Sequence, residues 1–146
     1  MNTHAKAIIG GIVATIAMTL LMMAGPRMGM PKMDAAAMLG GMMGGSLVLG
    51  WMMHFGIGII FAYGYIYLLN NKLPIANNYL RGAVFGLITF VFAQIMMLGM
   101  GAMGVMPAIP NDNMGMMIMG SLIGHALYGI VLGAFIKKEE LQKKFA

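Results

Sequence analysis

Residues 50–58 read Gly50-Trp51-Met52-Met53-His54-Phe55-Gly56-Ile57-Gly58 and lie in a run without charged residues from Ala35 to Asn71. A second uncharged run, Asn113 to Ile136, contains the related stretch Ser121-Leu122-Ile123-Gly124-His125-Ala126-Leu127-Tyr128-Gly129. In each stretch a small residue stands four positions before a histidine, and a glycine stands four positions after it. Four residues turn an α-helix by about 400°, so each histidine and its small neighbours share one helix face. This matching pair of histidines is the feature of the sequence that points to chemistry.

The composition is typical of a membrane protein. Of the 146 residues, 60% are hydrophobic and 9% are charged, whereas soluble domains carry about 25% charged residues. The net charge of +5 comes from basic residues at the ends of apolar runs. There they set topology and contact anionic headgroups, so the charge predicts a lipid bilayer as partner and no nucleic acid. The chain has no cysteine, which excludes disulfides, iron–sulfur clusters and thiolate metal sites.

Four apolar runs are long enough, at about 20 residues, to cross a bilayer as helices. They are Ala7–Gly25, Leu47–Leu69, Gly82–Met103 and Met114–Ile136. The first run follows Lys6, as in a signal peptide, but it exceeds the roughly 7–15 apolar residues that a signal peptide uses. We therefore interpret it as a retained helix. Residues 38–45, in the first linker, are apolar and glycine-rich, which is compatible with a loop, a surface helix or a re-entrant element.

An internal duplication is predicted for the chain. Helix 1 aligns with helix 3 at an offset of 75 residues, which pairs Lys6 with Arg81. Helix 2 aligns with helix 4 at an offset of 71 residues, which pairs His54 with His125. We expect an all-α membrane protein, a single four-helix transmembrane domain over residues 1–146. It comprises two tandem two-helix repeats, about 6–70 and about 79–137, and a charged tail at 138–146. Each repeat crosses the membrane twice, so both halves share one orientation and a pseudo-twofold axis along the membrane normal. That axis places the two histidines at similar depths, where they can face each other.

Basic residues predict the orientation. The N-terminus, the second linker with the start of helix 3, and the tail carry seven of them: Lys6, Lys72, Arg81, Lys137, Lys138, Lys143 and Lys144. The first and third linkers carry two, Arg27 and Lys32. Because cytoplasmic loops are richer in lysine and arginine, we expect both termini to be cytoplasmic in an inner (plasma) membrane.

The histidine pair has two interpretations, and the sequence leaves both open. In the first, each imidazole packs within the bundle and hydrogen-bonds a polar residue on a neighbouring helix, with Thr19 and Gln94 as candidate partners. In the second, His54 and His125 are the axial ligands of a b-type haem, because cofactor sites in helix bundles are built from facing side chains. Gly58 and Gly129 would then leave room for the porphyrin face.

The chain's 21 methionines also have two interpretations. Thioether sulfur is a soft ligand that suits Cu(I), alone or together with His54 or His125. Two pairs spaced by four residues lie on helix faces near the outer ends of helices 1 and 3: Met18 with Met22, and Met96 with Met100. Methionine is also a flexible apolar filler of irregular interfaces, which requires no metal.

The chain resembles a group of small four-span membrane proteins of bacteria and archaea. The shared features are the glycine-rich first helix with Met18 and Met22, the motif R-G-x-x-x-G opening helix 3 at Arg81, and H-x-x-x-G in helices 2 and 4. The group has no established activity, so the resemblance implies the architecture alone.

No enzymatic activity is expected, because the apolar runs lack carboxylates and contain no nucleophile–base arrangement. We expect a small accessory subunit of a membrane assembly, of the respiratory or electron-transfer kind, with other membrane subunits or further copies of itself as partners. Handling of Cu(I) on the outer side is the alternative function.

Overall fold

The computed structural model describes residues 1–69, 72–104 and 113–137. The α-helices in this part of the chain are α1 (Thr3–Ala24), α2 (Ala35–Met42), α3 (Leu47–Gly64), α4 (Asn78–Ala102) and α5 (Met114–Phe135). A 3-10 turn, Gly25–Met28, continues α1, and a π-helical turn, Tyr65–Leu69, continues α3. Four segments of the described chain are long and apolar enough to cross a membrane: Thr3–Met28, Leu47–Leu69, Asn78–Ala102 and Met114–Phe135. The predicted all-α fold with four spans is therefore confirmed.

Polar caps lie at the starts of four of the helices. The side chains of Asn2, Asp34, Ser46 and Asn77 accept hydrogen bonds from backbone N–H groups in the first turns of α1, α2, α3 and α4. Such a cap satisfies donors that have no partner within the helix, and it contributes about 1 kcal/mol. As a result α1 begins at Thr3 and α4 at Asn78, each four residues before the apolar run that predicted it.

The first linker contains a short helix. Residues 38–42, which the sequence leaves open, belong to α2, and the turn after it uses Gly44 and Gly45 at positive φ angles of 69° and 85°. This left-handed conformation favours glycine, because a Cβ atom would clash with the backbone. Helix α2 packs on the start of α3 so closely that a Cβ atom on Gly50 would collide with the carbonyl oxygen of Ala36.

Helices α1 and α5 form the middle of the bundle. α1 packs antiparallel against both α3 and α5, and α4 packs antiparallel against α5. We call the end of the bundle that carries the starts of α1 and α4 the terminal end, and the opposite end, next to α2, the linker end. Across the centre, the Tyr128 hydroxyl donates a hydrogen bond of 2.6 Å to the carbonyl oxygen of Gly58, which ties α5 to α3.

Glycines allow the antiparallel helices to approach closely, as is usual between membrane helices. A Cβ atom on Gly11 would lie 2.9 Å from the Cα atom of Ile59 and 3.0 Å from the carbonyl oxygen of Gly58. In the second pair of helices, a Cβ atom on Gly82 would collide with the carbonyl oxygen of Gly129. Gly82 follows Gly11 by 71 positions, and Gly129 follows Gly58 by the same 71. The two contacts therefore have the same spacing of 71 positions, and the duplication with its offset of 75 for helix 1 stays a prediction.

The contact between α3 and α4 differs from the contact between α1 and α5. The backbones of α1 and α5 pack closely, whereas in the described chain α3 and α4 make few backbone contacts. Aromatic rings join them, with ring centroids 5.8 Å apart for Phe61 and Phe92 and 5.1 Å apart for Tyr65 and Phe85. Between them lies an apolar groove of about 240 Å³, the α3–α4 groove, lined by Phe61, Gly64, Leu68, Leu69, Phe85, Ile88, Thr89 and Phe92.

Candidate functional site

The first candidate residue, His54, is held by a hydrogen bond to α1. Its Nε2 atom lies 3.0 Å from the Thr19 hydroxyl oxygen, which confirms Thr19 as its predicted partner. The Thr19 hydroxyl donates its single hydrogen to the carbonyl oxygen of Thr15 at 2.8 Å. The Thr19 oxygen therefore accepts from His54 Nε2–H, and this assignment leaves the lone pair on Nδ1 of His54 for another partner.

His54 also lines a cleft of about 260 Å³ at the linker end of the bundle. We call it the His54 cleft, and its lining residues come from α1, the first linker, α2 and α3: Thr19, Met22, Met23, Pro26, Lys32, Met33, Asp34, Ala35, Ala36, Trp51 and His54. The cleft thus combines one imidazole, three thioethers and two charged groups. Lys32 Nζ lies 3.9 Å from an oxygen of Asp34, and both side chains are exposed.

Asp34 connects the cleft to the start of α2. One of its carboxylate oxygens caps α2 by accepting a hydrogen bond of 2.8 Å from the backbone N–H of Ala37. Within the described residues, however, no group of three or more His, Cys, Asp and Glu side chains is arranged to hold a metal ion. A metal in the cleft therefore needs thioether ligands.

The second candidate histidine has a different environment. His125 Nδ1–H donates to the carbonyl oxygen of Ser121 at 2.8 Å, because a carbonyl can only accept. The Nε2 atom of His125 then keeps its lone pair. Gln94 Nε2 donates to the Ser121 hydroxyl at 3.3 Å, and that hydroxyl lies 3.4 Å from His125 Nδ1. Gln94 thus reaches His125 through Ser121, whereas Thr19 contacts His54 directly.

The glycines that follow the histidines form helix contacts. A Cβ atom on Gly58 would collide with the Thr15 hydroxyl, and one on Gly129 would collide with the carbonyl oxygen of Gly82. The space that the haem hypothesis assigns to the porphyrin beside these two glycines is therefore occupied by α1 and α4. Sequence spacing showed that the positions must be small, but it could not show which neighbour comes close.

The four methionines predicted as ligands separate into two groups. Met18 is buried, and Met22 lines the His54 cleft. Both pack against α5, where a Cβ atom on Gly124 would lie 2.7 Å from Met22 Cε and 3.5 Å from Met18 Cγ. Met96 is 47% exposed on α4. Neither Met96 nor its partner Met100, which is half-buried, lines the cleft.

Sequence reasoning did not predict Asp34 as a site residue. Met23 and Met33 belong to the methionines considered for Cu(I), but not to the four named as ligands. The sulfur atom of Met33 packs against α5, where a Cβ atom added to Gly120 would lie only 2.8 Å from it. A signal was present for Asp34, because it is one of four acidic residues in the chain and directly precedes an uncharged run.

Comparison with known proteins matches the chain to a sequence family. The sequence model of a family described as "Family of unknown function (DUF6789)" matches residues 1–145 of the chain. No curated protein and no solved structure is similar enough to match.

Proposed function

The chain belongs to the DUF6789 family, a family of unknown function, and we propose that it is a non-enzymatic membrane protein that binds Cu(I) in the His54 cleft. One observation carries this proposal: His54, Met22, Met23 and Met33 line a single cleft. Imidazole and thioether are ligands that Cu(I) accepts, and the chain has no thiolate to compete with them.

The charges at the cleft favour a monovalent ion. The imidazole and thioether ligands are neutral, and the nearby charges of Lys32 and Asp34 balance each other. Cu(I) therefore adds one positive charge to the cleft, whereas a divalent ion would add two. Since charge is costly to transfer from water into a medium of low dielectric constant, the monovalent ion is preferred.

The proposal includes a location and a setting. By the distribution of basic residues, the termini are cytoplasmic in an inner (plasma) membrane, and the His54 cleft opens on the outer side. The protein then acts as a small accessory subunit of a membrane assembly, respiratory or electron-transfer in kind, or as a homo-oligomer. α3 and α4 bury a smaller share of their surface within the bundle than α1 and α5 do, which leaves room for such partners beside lipid.

Ligation of haem b by His54 and His125 is a second candidate function. The observation that favours it is that each imidazole has one nitrogen fixed by a hydrogen bond and one lone pair left, as in metal-ligating histidines. We place it second because the described cleft involves His54 alone and the glycine spaces are occupied. It predicts a Soret band in the purified protein and loss of the low-spin spectrum in both His54→Ala and His125→Ala. A colourless protein from haem-replete cells contradicts it.

A competition titration tests the Cu(I) proposal. Protein in mild detergent competes with the chromogenic chelator bicinchoninate for Cu(I), with ascorbate present to keep the ion reduced. We expect His54→Ala and Met33→Leu each to weaken Cu(I) binding by about tenfold or more, which corresponds to about 1.4 kcal/mol for a lost ligand.

The controls are methionines outside the cleft, one on α3 and one on α4. Met52, two residues before His54, is 66% exposed, and Met96 on α4 is 47% exposed. Met52→Leu and Met96→Leu should bind Cu(I) as tightly as the unchanged protein, since leucine conserves size and apolarity. Equal weakening by control and cleft variants, or no binding by the unchanged protein, would overturn the proposal.

A further inference from the structure

Arg81 is a buried cation near the start of α4. Its side chain is 0% exposed. Nε donates to the Tyr65 hydroxyl at 3.0 Å, and one terminal nitrogen donates to the Asn78 side chain at 2.7 Å. The other terminal nitrogen, Nη1, is buried without a hydrogen-bond partner. Within the described chain no carboxylate lies at ion-pair distance from Arg81. The acidic residue Asp34 pairs with Lys32 at the opposite end of the bundle. The charge of Arg81 is therefore not balanced by these neighbours.

Arg81 stands at one end of the α3–α4 groove. On α4 it precedes Phe85 and Thr89 by four and eight residues, and both of these line the groove. Since four residues bring a helix back to nearly the same face, Arg81 lies on the groove face of α4. Its partner Tyr65 follows Gly64, another lining residue, and its ring packs against Phe85 at 5.1 Å. The Tyr65–Arg81 pair is thus buried beside the lining residues, toward the terminal end of the bundle, without being part of the lining itself.

The shape and chemistry of the groove restrict what can occupy it. The groove has a volume of about 240 Å³ and is open along one side, so a flexible hydrocarbon chain can follow its surface. The lining is apolar apart from Thr89, whose hydroxyl donates to the carbonyl oxygen of Gly86 on its own helix.

We propose that the α3–α4 groove binds the acyl chain of an anionic phospholipid, with the lipid headgroup at the Arg81 end. The guanidinium is enclosed by protein, and its charge acts on the headgroup through a medium of low dielectric constant, where Coulomb interactions are stronger than in water. Lys72, which is exposed between α3 and α4, adds a second positive charge near the same end. Neither residue belongs to the His54 cleft, so this inference is independent of Cu(I) binding.

Lipid binding to the detergent-solubilised protein, measured by native mass spectrometry, tests the proposal. The probes are dioctanoyl phosphatidylglycerol, which is anionic, dioctanoyl phosphatidylcholine, which has the same chains and no net charge, and glycerol phosphate, which is a headgroup without chains. We expect the protein to retain the anionic lipid about fivefold better than the zwitterionic one, since a basic residue near an anionic lipid contributes about 1 kcal/mol. Arg81→Gln should reduce this preference and leave binding of the chains in place.

Two glycines on α3 give matched variants that do not depend on Arg81. Gly64 lines the groove and Gly56 does not. At either position an added Cβ atom would meet no neighbouring side chain or helix within 4 Å. Leucine is a better helix former than glycine, so both substitutions should preserve α3. Gly64→Leu should reduce retention of both lipids, and Gly56→Leu should leave it unchanged.

Three outcomes would overturn the proposal. Equal retention of the two lipids by the unchanged protein removes the role of Arg81. Unchanged lipid retention in Gly64→Leu removes the groove as the binding site. Competition by glycerol phosphate as effective as that by the anionic lipid shows that the site recognises phosphate alone.

Discussion

At the scale of single residues, the bond between His54 and Thr19 determines which ring nitrogen remains for a ligand. The Thr19 hydroxyl gives its hydrogen to Thr15 and accepts from Nε2 of His54. Nδ1 is then the atom with a free lone pair, and neutral imidazole with one free lone pair is the form that binds metals. Thr19 is in this respect a positioning residue for His54.

Replacing Thr19 by valine tests this role. Valine has nearly the same shape without the hydroxyl, so the cost to the free energy of unfolding should be about 1 kcal/mol, as for other hydrogen bonds between membrane helices. We expect Thr19→Val to weaken Cu(I) binding, but by less than His54→Ala does. The ¹⁵N chemical shifts of His54 should change from those of an Nε2-protonated ring to those of a tautomer mixture. Unchanged shifts would show that Thr19 does not fix the tautomer.

At the scale of helices, close backbone contacts hold each antiparallel pair together. Helix α4 meets α5 where Gly82 and Gly86 lie against Gly129, and α1 meets α3 where Gly11 lies against Gly58 and Ile59. Packing and dispersion replace the hydrophobic effect as the driving force between helices inside a membrane. The glycine stripes that frame the histidines in the sequence are therefore chiefly contact surfaces.

A pair of alanine substitutions separates a contact glycine from a free one. Gly129→Ala places a methyl group against the carbonyl oxygen of Gly82, and we expect it to lower the free energy of unfolding in detergent by about 1–3 kcal/mol. The Cβ atom of Gly56→Ala meets no other atom within 4 Å. That variant should be unchanged or more stable by up to about 1 kcal/mol, because alanine favours the helix. Equal effects of the two substitutions on thermal unfolding would contradict the described packing of α4 on α5.

Some features of the helices were predictable from the sequence and others were not. The spans were predictable because apolar length is read directly from the residues, and α3 with its π-helical turn ends at Leu69, as expected. The starts of α1 and α4 were predicted too late, because the caps at Asn2 and Asn77 extend the helices into polar sequence. Which glycines meet was not predictable, because the contacts of Gly82 depend on how far α4 slides along α5.

The same limit applies to the candidate site. His54 and its partner Thr19 were predictable, because polar side chains at depth within apolar helices must find each other. Met33 was not among the four named ligands and Asp34 was not predicted, because both lie in the first linker and reach the cleft only through the path of the chain between α1 and α2. The separation of Met22 from Met96 depends on which face each helix turns inward. Composition and spacing do not contain that information.

At the scale of the whole molecule, orientation decides which compartment the His54 cleft meets. Lys32 is exposed at the linker end, and Lys72 is exposed at the opposite, terminal end. The chain has no cysteine of its own, so single cysteine variants report unambiguously. We expect Lys32→Cys to react with a membrane-impermeant maleimide from outside intact cells, and Lys72→Cys to react only after the membrane is opened. Protection of Lys32→Cys in intact cells together with labelling of Lys72→Cys would reverse the proposed orientation.

The central claim, that a soft ion is held in the His54 cleft, is tested most directly by X-ray absorption at the copper edge of the Cu(I)-loaded protein. We predict a first coordination shell that contains both thioether sulfur and imidazole nitrogen. In His54→Ala the nitrogen scattering should be lost, whereas in Met52→Leu the spectrum should be unchanged. A shell of oxygen and nitrogen without sulfur, or a spectrum in His54→Ala identical to that of the unchanged protein, would contradict the claim.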